Sequence, residues 1–267
     1  MNISRATDTT PNAQNAPARL IAVASGKGGV GKTWFSITLA HTLAFAGENV
    51  LLFDGDLGLA NVDVQLGLNP SRDLTSVLSG KVPLEEAITR YEAGGNVGFD
   101  VLAGSSGSGA LGSLSGHDVI PLAKGLRMIS SRYDRVIIDL AAGLDPAVTM
   151  LAGAADQMFT VVTDEPTSLT DAYAFIKVMN RHRPAVTAHV VVNMSDSISE
   201  GRRTYESLRK ACSSFLKIEP PLAAIIPRDP KIKDAIRHQT ALLSRHPQSP
   251  AAKALGTLAE ELSPKVK

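Results

Sequence analysis

Short apolar runs alternate with segments of helical periodicity along the whole chain. The apolar runs predict β-strands at residues 20–24, 50–53, 99–102, 135–140, 157–163, 188–193 and 222–226. Several of these runs are apolar at consecutive positions, as expected for parallel strands that are covered on both faces. The helical spacing between the runs predicts helices at residues 33–46, 118–132, 146–154, 168–182, 200–216 and 249–262. The pattern therefore predicts an α/β fold with a doubly wound, mostly parallel sheet and helices on both faces.

This fold class places ligands at one edge of the sheet. In a doubly wound sheet with right-handed crossovers, ligands bind beyond the carboxyl ends of the strands. No internal repeat or linker divides the sequence, so residues 19–267 are expected to form one domain. Residues 1–18 lack apolar periodicity and are expected to be a disordered tail. The glycine- and serine-rich segment 104–116 is expected to be a mobile loop over the ligand-binding edge.

The composition narrows the possible classes of protein. Hydrophobic residues make up 44% of the chain and charged residues 20%, which is ordinary for a globular domain. The formal net charge of +1 excludes broad electrostatic attraction to nucleic acid or membranes, but it is compatible with a local basic patch. The single cysteine, Cys212, cannot form an internal disulfide, and the sequence shows neither a signal peptide nor an apolar run long enough to span a membrane. We therefore expect a cytoplasmic protein.

A phosphate-binding loop is the clearest chemical signal. Residues 26–33 match the pattern G-x-x-x-x-G-K-S/T between a predicted strand and a predicted helix, as this motif requires. Glycines let backbone N–H groups surround a phosphate, and the helix dipole adds positive charge there. Lys32 would meet the β- and γ-phosphates, and the Thr33 hydroxyl would coordinate Mg²⁺. The residues expected to contact the nucleotide here are Gly26, Lys27, Gly28, Gly29, Val30, Gly31, Lys32, Thr33 and Trp34.

Acidic residues at the ends of two other predicted strands indicate metal-dependent phosphate chemistry. Asp56 follows the strand 50–53, so its carboxylate is expected at the same edge as the loop, where it could contact the metal or polarise water. Asp139 follows three apolar residues near the end of the predicted strand 135–140, which is the pattern of the Walker B strand, whose carboxylate holds Mg²⁺. Asp54 is expected to support the loop after its strand. Asp63 is explained equally well as the cap of a turn or helix.

A second lysine in the loop connects the sequence to a family. Residues 27–33, K-G-G-V-G-K-T, resemble the deviant phosphate loop of the MinD/ParA family of P-loop ATPases. Residues 54–68 resemble the switch I region of that family's flagellar-number regulators, called FlhG or FleN. The resemblance implies ATP and Mg²⁺ as cofactors, an ATP-dependent homodimer, and protein partners from flagellar assembly or placement. It also implies that Lys27 reaches the ATP of the partner subunit and that Asp56 positions the attacking water.

The resemblance extends to later strand ends, and in total it covers about residues 19–261. Residues 163–173 resemble a stretch of the family written E-P-T-S-x-x-D-A-Y, in which Thr167 or Ser168 is expected to cap the next helix. Asn193 ends a predicted strand, where its amide could pair with an adenine edge. Pro227 and Arg228 resemble a loop that closes over the base, although an ordinary turn explains Arg228 equally well.

The residues leave the biological process open. Regulation of flagellar number or placement is the first hypothesis, and chromosome or plasmid partition or division-site placement is the second. A third hypothesis is a nucleotide-binding partner protein with negligible hydrolysis. Basic residues on one predicted helix could form a DNA-binding face, but solvation of surface charges is the commoner explanation, so DNA is the less favoured partner. These residues are Arg202, Arg203, Arg209 and Lys210.

The last predicted helix raises the question of a membrane surface as partner. Its apolar face could bind the inner face of the cell membrane as a peripheral anchor. It lacks Phe and Trp, however, and carries Glu260 and Glu261. We therefore expect this helix to pack on the domain.

Overall fold

The computed structural model describes residues 19–94, 97–104 and 116–263, without the side chains of residues 116–118. The predicted tail, residues 1–18, lies outside the described residues, as does all of the predicted glycine- and serine-rich loop except its two end residues. The strands are β1 (Leu20–Ser25), β2 (Val50–Gly55), β3 (Ile88–Gly94), β4 (Val97–Leu102), β5 (Arg135–Ala142), β6 (Gln157–Val162), β7 (Thr187–Ser195) and β8 (Leu222–Pro227).

The strands form one sheet of the predicted kind. Its order is β3-β4-β2-β5-β1-β6-β7-β8. Neighbouring strands are parallel, except that β3 and β4 pair antiparallel. The predicted α/β fold with a mostly parallel sheet is confirmed. β3 was not predicted because Tyr91 is its one buried residue, so this edge strand has no apolar run.

The helices include the six that were predicted and four short ones that were not. The predicted helices are α1 (Lys32–Phe45), α4 (Gly116–Ile129), α5 (Pro146–Ala154), α6 (Pro166–His182), α7 (Ile198–Leu216) and α10 (Pro250–Leu262). The additional helices are α2 (Val62–Leu66), α3 (Leu74–Leu78), α8 (Pro230–Arg237) and α9 (Leu242–Arg245). α6 begins two residues before its predicted start, because Glu165 is its N-cap residue and Pro166 follows at the first helical position. The expected caps Thr167 and Ser168 therefore lie inside the helix.

Both faces of the sheet are covered by hydrophobic cores. Along β1, Leu20, Ala22 and Ala24 belong to one core, whereas Ile21 and Val23 belong to the other. This alternation follows from the strand geometry, which points successive side chains to opposite faces. Because β1 is apolar at every one of these positions, it can lie only in the middle of a three-layered fold.

The last helix packs on the domain, as expected. Ala251, Leu255 and Leu258 of α10 are buried in the same core as α1. At the end of the helix, the Arg135 guanidinium donates to the carbonyl oxygen of Leu262 at 2.6 Å. The apolar face of α10 is therefore occupied by the domain itself. Within the described part of the chain, no helix is both long and apolar enough to cross a membrane.

Candidate functional site

The sheet order brings the predicted site residues to one edge. β1 lies between β5 and β6 and leads at Ser25 into the phosphate-binding loop, after which α1 begins at Lys32. β2 lies on the other side of β5, and the register pairs Asp54 with Asp139. The loop therefore lies beside two acidic strand ends, which is the edge where ligands bind in this type of sheet.

Lys32 points into the protein. Its residue is 9% exposed, and its ammonium group donates to the Ser25 hydroxyl at 2.9 Å. Burial lowers the pKa of Lys32, while the nearby carboxylates of Asp139 and Asp56 oppose this shift. Lys32 is thus a desolvated cation between the loop and the acidic strand ends, where its attraction to an anion is strong.

Asp139 is the buried carboxylate of this cluster. It is 1% exposed and accepts a hydrogen bond of 2.9 Å from the Ser36 hydroxyl. Burial raises its pKa to about 6, whereas hydrogen bonds from Thr33 and Ser36 and the charge of Lys32 act against the increase. Sequence reasoning missed Ser36. It lies one helical turn after Lys32, so the i, i+4 spacing could have revealed it.

Asp54 and Asp56 have different environments although only one residue separates them. Asp54 is fully buried and accepts hydrogen bonds from the backbone N–H groups of Asp56, Asn61 and Val62 at 3.2, 2.9 and 2.9 Å. Burial, with Asp139 nearby, raises its pKa to about 7. Asp56 is partly exposed and accepts one bond of 2.9 Å from the Leu59 N–H. The geometry agrees with a supporting position for Asp54 and leaves Asp56 open to a ligand.

Asp63 lies in the first turn of α2, where its carboxylate accepts a hydrogen bond of 2.8 Å from the Val64 N–H. Asn61 occupies the N-cap position of that helix. Asp63 therefore interacts with the helix start, although it is not the cap residue.

Two glycines of the loop are required by close contacts. A Cβ atom on Gly26 would lie 2.3 Å from the carbonyl carbon of Asp171, so the loop packs directly on α6. Gly31 has φ of +91°, and a Cβ atom there would lie 2.4 Å from Trp34 Nε1 and 2.5 Å from Asn193 Nδ2. A side chain at either position would displace the loop.

The residues expected near the base differ in how close they lie to the loop. Asn193 is 1% exposed and donates through Nδ2 to the Val30 carbonyl oxygen at 2.7 Å. Within the described part of the chain, its Oδ1 atom and Trp34 Nε1 are buried without a hydrogen-bond partner. Pro227 ends β8, and the Arg228 guanidinium forms an exposed ion pair of 2.8 Å with Asp196. Asn193 and Trp34 are therefore close to the loop, whereas the Arg228 side chain is held on the surface.

Lys27, unlike Lys32, lies on the surface, where its side chain is 35% exposed. Its carbonyl oxygen accepts a hydrogen bond of 2.7 Å from the Ser25 hydroxyl. Its ammonium group forms an ion pair with Glu165 and donates to the Thr167 hydroxyl at 2.9 Å. Both partners lie at the start of α6 and were not predicted as site residues. The E-P-T-S stretch in the sequence was a usable signal, but it suggested only a helix cap.

The donors at this edge fit a nucleotide-bound Mg²⁺. The described residues hold no group of three or more His, Cys, Asp or Glu that could hold a metal alone. Mg²⁺ bound with a nucleotide needs only one or two carboxylates, since phosphate oxygens and water supply the other ligands. The Thr33 hydroxyl and the carboxylates of Asp139 and Asp56 are oxygen donors suited to this ion.

Comparisons with known proteins agree with this geometry. Antiactivator FleN of Pseudomonas aeruginosa is 38% identical over 92% of this chain and 86% of its own length. The flagellum site-determining protein YlxH of Helicobacter pylori is 32% identical over 91% of this chain and 80% of its own length. The septum site-determining protein MinD of Pyrococcus horikoshii, solved with Mg-ADP, superposes with a TM-score of 0.76 at 26% identity, covering 91% of this chain and 95% of that one.

These relatives confirm the resemblance inferred from the loop and the switch I region, and the Mg-ADP complex agrees with the predicted cofactor class of a nucleotide with Mg²⁺. The family model for the CobQ/CobB/MinD/ParA nucleotide binding domain matches residues 21–242. The chain belongs to this family of P-loop nucleotide-binding proteins.

Proposed function

We propose that residues 19–267 form one ATPase domain that acts as a switch, in which ATP closes a homodimer and hydrolysis opens it. The observation that supports this most strongly is the difference in burial and partners between the two loop lysines. Lys32 lies buried beside Asp139, whereas Lys27 is on the surface beside α6. A loop that binds ATP within one subunit needs only Lys32. Lys27 has a use when another subunit brings its phosphates to this surface.

The residues divide the chemistry as follows. Lys32 and the loop N–H groups bind the β- and γ-phosphates, while Thr33 and Asp139 would hold Mg²⁺. Mg²⁺ would neutralise charge that develops on the phosphates. Asp56 orients the attacking water and would contact the metal shell. Lys27 acts on the partner subunit's ATP, so hydrolysis is slow until the dimer forms. Catalysis then consists of positioning and electrostatic stabilisation.

A mixing experiment tests this division of roles. Lys27→Ala should bind ATP nearly as well as the wild type but should neither dimerise nor hydrolyse it. Asp56→Ala should bind ATP and form a persistent dimer that hydrolyses poorly. In the mixture, one site combines the Asp56 of the Lys27→Ala subunit with the Lys27 of its partner, so part of the activity should return. Phosphate release measures hydrolysis, and size-exclusion chromatography measures dimerisation.

Each outcome of the mixing experiment is informative. An active monomeric Lys27→Ala variant would contradict the trans role of Lys27. An Asp56→Ala variant with normal turnover would remove Asp56 from the reaction. Lys81→Ala, which changes an exposed lysine outside the site, is the matched control and should behave as the wild type.

We further propose that this switch regulates flagellar number or placement with partners from the flagellar machinery, in the cytoplasm or at the inner surface of the membrane. Support comes from two relatives that cover most of the chain, antiactivator FleN and the flagellum site-determining protein YlxH. A strain lacking the protein should have an altered number or position of flagella. Unchanged flagella together with displaced septa or lost chromosomes would favour the division or partition hypothesis.

Binding to DNA is less well supported. On α7, Arg203 pairs with Glu200 at 3.4 Å, and Arg209 pairs with Glu206 at 2.8 Å and with Glu219 at 3.2 Å. These carboxylates neutralise part of the basic face that the sequence suggested. A face with such pairing offers less net charge to phosphates.

A further inference from the structure

Trp34 carries a buried hydrogen-bond donor beside the phosphate-binding loop. Its residue is 6% exposed, and within the described ranges its indole N–H meets no acceptor. The indole nitrogen lies against Gly31, since a Cβ atom on that glycine would be 2.4 Å away from it. Buried donors without an acceptor are rare in native proteins. A ligand at the loop is therefore the natural source of the acceptor.

The body of the indole is fixed by packing. Trp34 belongs to the core that also contains Ile37, Ala235 and Ala241. Together with Ile232, its ring lines a small cavity between α1 and α8. Turning the N–H towards solvent would require the ring to leave this core. The donor consequently stays at the loop, where a bound nucleotide would meet it.

Asn193 supplies the complementary acceptor. A Cβ atom on Gly31 would also lie 2.5 Å from Asn193 Nδ2, so the side chains of Asn193 and Trp34 meet beside the same glycine. The Nδ2 atom donates to the Val30 carbonyl oxygen at 2.7 Å, which fixes the amide, while no donor within the described ranges reaches Oδ1. One unpaired donor and one unpaired acceptor thus lie close together at the loop.

Adenine carries the matching pair of groups. Its N6 amino group donates hydrogen bonds, and the ring nitrogens N1 and N7 on either side of that group accept them. Phosphate oxygens offer acceptors only, so they would leave the Asn193 oxygen unpaired. The base offers a donor and an acceptor together in one rigid plane. The chemistry of the two side chains therefore favours the base as their ligand.

We propose that the indole N–H of Trp34 donates to a ring nitrogen of adenine while the N6 amino group donates to Asn193 Oδ1. Trp34 is then a base-binding residue that favours adenosine nucleotides over bare phosphates. The inference rests on the proposed use of ATP, but it requires neither dimerisation nor hydrolysis. Trp34 acts on the nucleotide of its own subunit, so its contribution is present in the monomer with Mg·ADP.

The test compares Trp34→Phe with the wild-type chain by calorimetric titration. Phenylalanine keeps an aromatic ring in the core and removes the donor. One neutral hydrogen bond corresponds to about a two- to tenfold change in an equilibrium constant, so the Kd for Mg·ADP should rise by this factor. The Kd for Mg·pyrophosphate, which has no base, should stay at the wild-type value.

A tryptophan analogue removes the donor with less change of shape. Trp34 is the only tryptophan of the chain, so growth on β-(3-benzothienyl)alanine alters this side chain alone. The analogue carries sulfur in place of the indole N–H. Protein that contains it should show the same rise in the Kd for Mg·ADP as Trp34→Phe.

Nucleotide analogues identify the acceptor. In 1-deaza-ADP and 7-deaza-ADP, a C–H group replaces one of the two ring nitrogens beside the amino group. With one of these analogues, Trp34→Phe should have no effect on the Kd, because the acceptor of the indole N–H is already missing. With the other analogue, the effect should be as large as with ADP.

Thr38→Val is the matched control. Thr38 is buried one turn after Trp34, and its hydroxyl donates to the Trp34 carbonyl oxygen at 2.7 Å. Valine keeps the shape of this side chain and disturbs the same turn of α1 without removing the indole N–H. The Kd of this variant for Mg·ADP should therefore equal that of the wild type.

An unchanged Kd for Mg·ADP in Trp34→Phe would overturn the proposal. An equal rise in the Kd for Mg·pyrophosphate would also overturn it, since the N–H would then contact a phosphate. An effect that persists with both deaza analogues would assign the donor to the ribose, against the proposal. Failure of the proposed function looks different: a wild-type chain that binds no Mg·ADP contradicts the use of ATP, and failure of the switch appears only in the Lys27 and Asp56 variants.

Discussion

The phosphate-binding loop carries two lysines in contrasting environments, one on its inner side and one on its outer side. On the inner side, Lys32 is almost completely buried, and its burial lowers its pKa. Ser25 and the carboxylates of Asp139 and Asp56 surround it. On the outer side, Lys27 has a third of its side chain exposed and meets the exposed Glu165.

This difference separates two kinds of electrostatics. Interactions on the inner side act at low dielectric and are only weakly screened by salt, because water and ions are excluded. They are strong, and a buried charge left without a partner costs folding free energy. Interactions on the outer side are weak and exchangeable. A binding function suits the first side, and a contact that must break and re-form suits the second.

The largest expected effect comes from the inner lysine. Lys32→Ala should lower the affinity for Mg·ATP at least about a hundredfold, because charge-assisted hydrogen bonds to the phosphates are lost in a desolvated site. Lys27→Ala, in the same loop, should change this affinity by less than about threefold. Calorimetric titration of both variants measures the comparison directly.

Thermal unfolding should show that both lysine variants remain folded, since neither side chain belongs to a hydrophobic core. Equal affinities of the two variants would contradict the comparison. Loss of binding in Lys27→Ala alone would reverse the assignment of the two lysines.

An intermediate effect tests how far the exclusion of water extends along α1. His41 is 3% exposed, and its ring lies 6.1 Å from that of Phe99. Burial lowers its pKa from 6.5 to about 4. A lowered histidine pKa means that the folded state favours the neutral ring, so this contribution to stability is present above pH 6.5 and is lost as the pH falls towards 4.

Between pH 7 and pH 5, the wild type should therefore lose about 2 kcal/mol more unfolding free energy than His41→Leu. Urea unfolding at the two pH values measures this difference. His182→Gln, at an exposed position on α6, is the control and should follow the wild type. A His41→Leu variant with the same pH dependence as the wild type would show that water reaches this part of α1.

The inner side was predictable from the sequence for a physical reason. The phosphate loop is a local pattern, and buried parallel strands such as β1 and β5 are apolar at consecutive positions. Parallel strands end at one edge, so Asp56 and Asp139 could be placed beside the loop without knowing any contact. Ser36 required one more step, namely the turn of the helix that joins it to Lys32.

The outer side was not predictable in the same way. The contact between Lys27 and Glu165 depends on how α6 lies against the loop, and no local pattern encodes that arrangement. Short elements escaped for a different reason. In α8, Ile232, Ala235 and Ile236 form an apolar stripe that packs on the core, but eight residues are too few for helical periodicity to be recognised in the sequence.

The smallest expected effect separates the contributions of the two partners of Lys27, Glu165 and Thr167. Thr167→Val removes the hydroxyl that Lys27 contacts at 2.9 Å while keeping the shape of the side chain. The contacts of Lys27 with Glu165 and Thr167 would compete with a partner subunit's phosphates, so Glu165→Gln should lower the Kd of the ATP dimer. The exposed, neutral hydrogen bond contributes less than the ion pair, so Thr167→Val should lower that Kd by no more than about twofold. Salt adds a second criterion. In about 1 M salt the difference between Glu165→Gln and the wild type should shrink, because screening weakens an exposed ion pair, whereas the small effect of Thr167→Val should persist. Sedimentation equilibrium at low and high salt tests both statements.

A Thr167→Val effect as large as that of Glu165→Gln would mean that Lys27 is held by geometry rather than by charge. The contrast between the two sides of the loop would then rest on exposure alone.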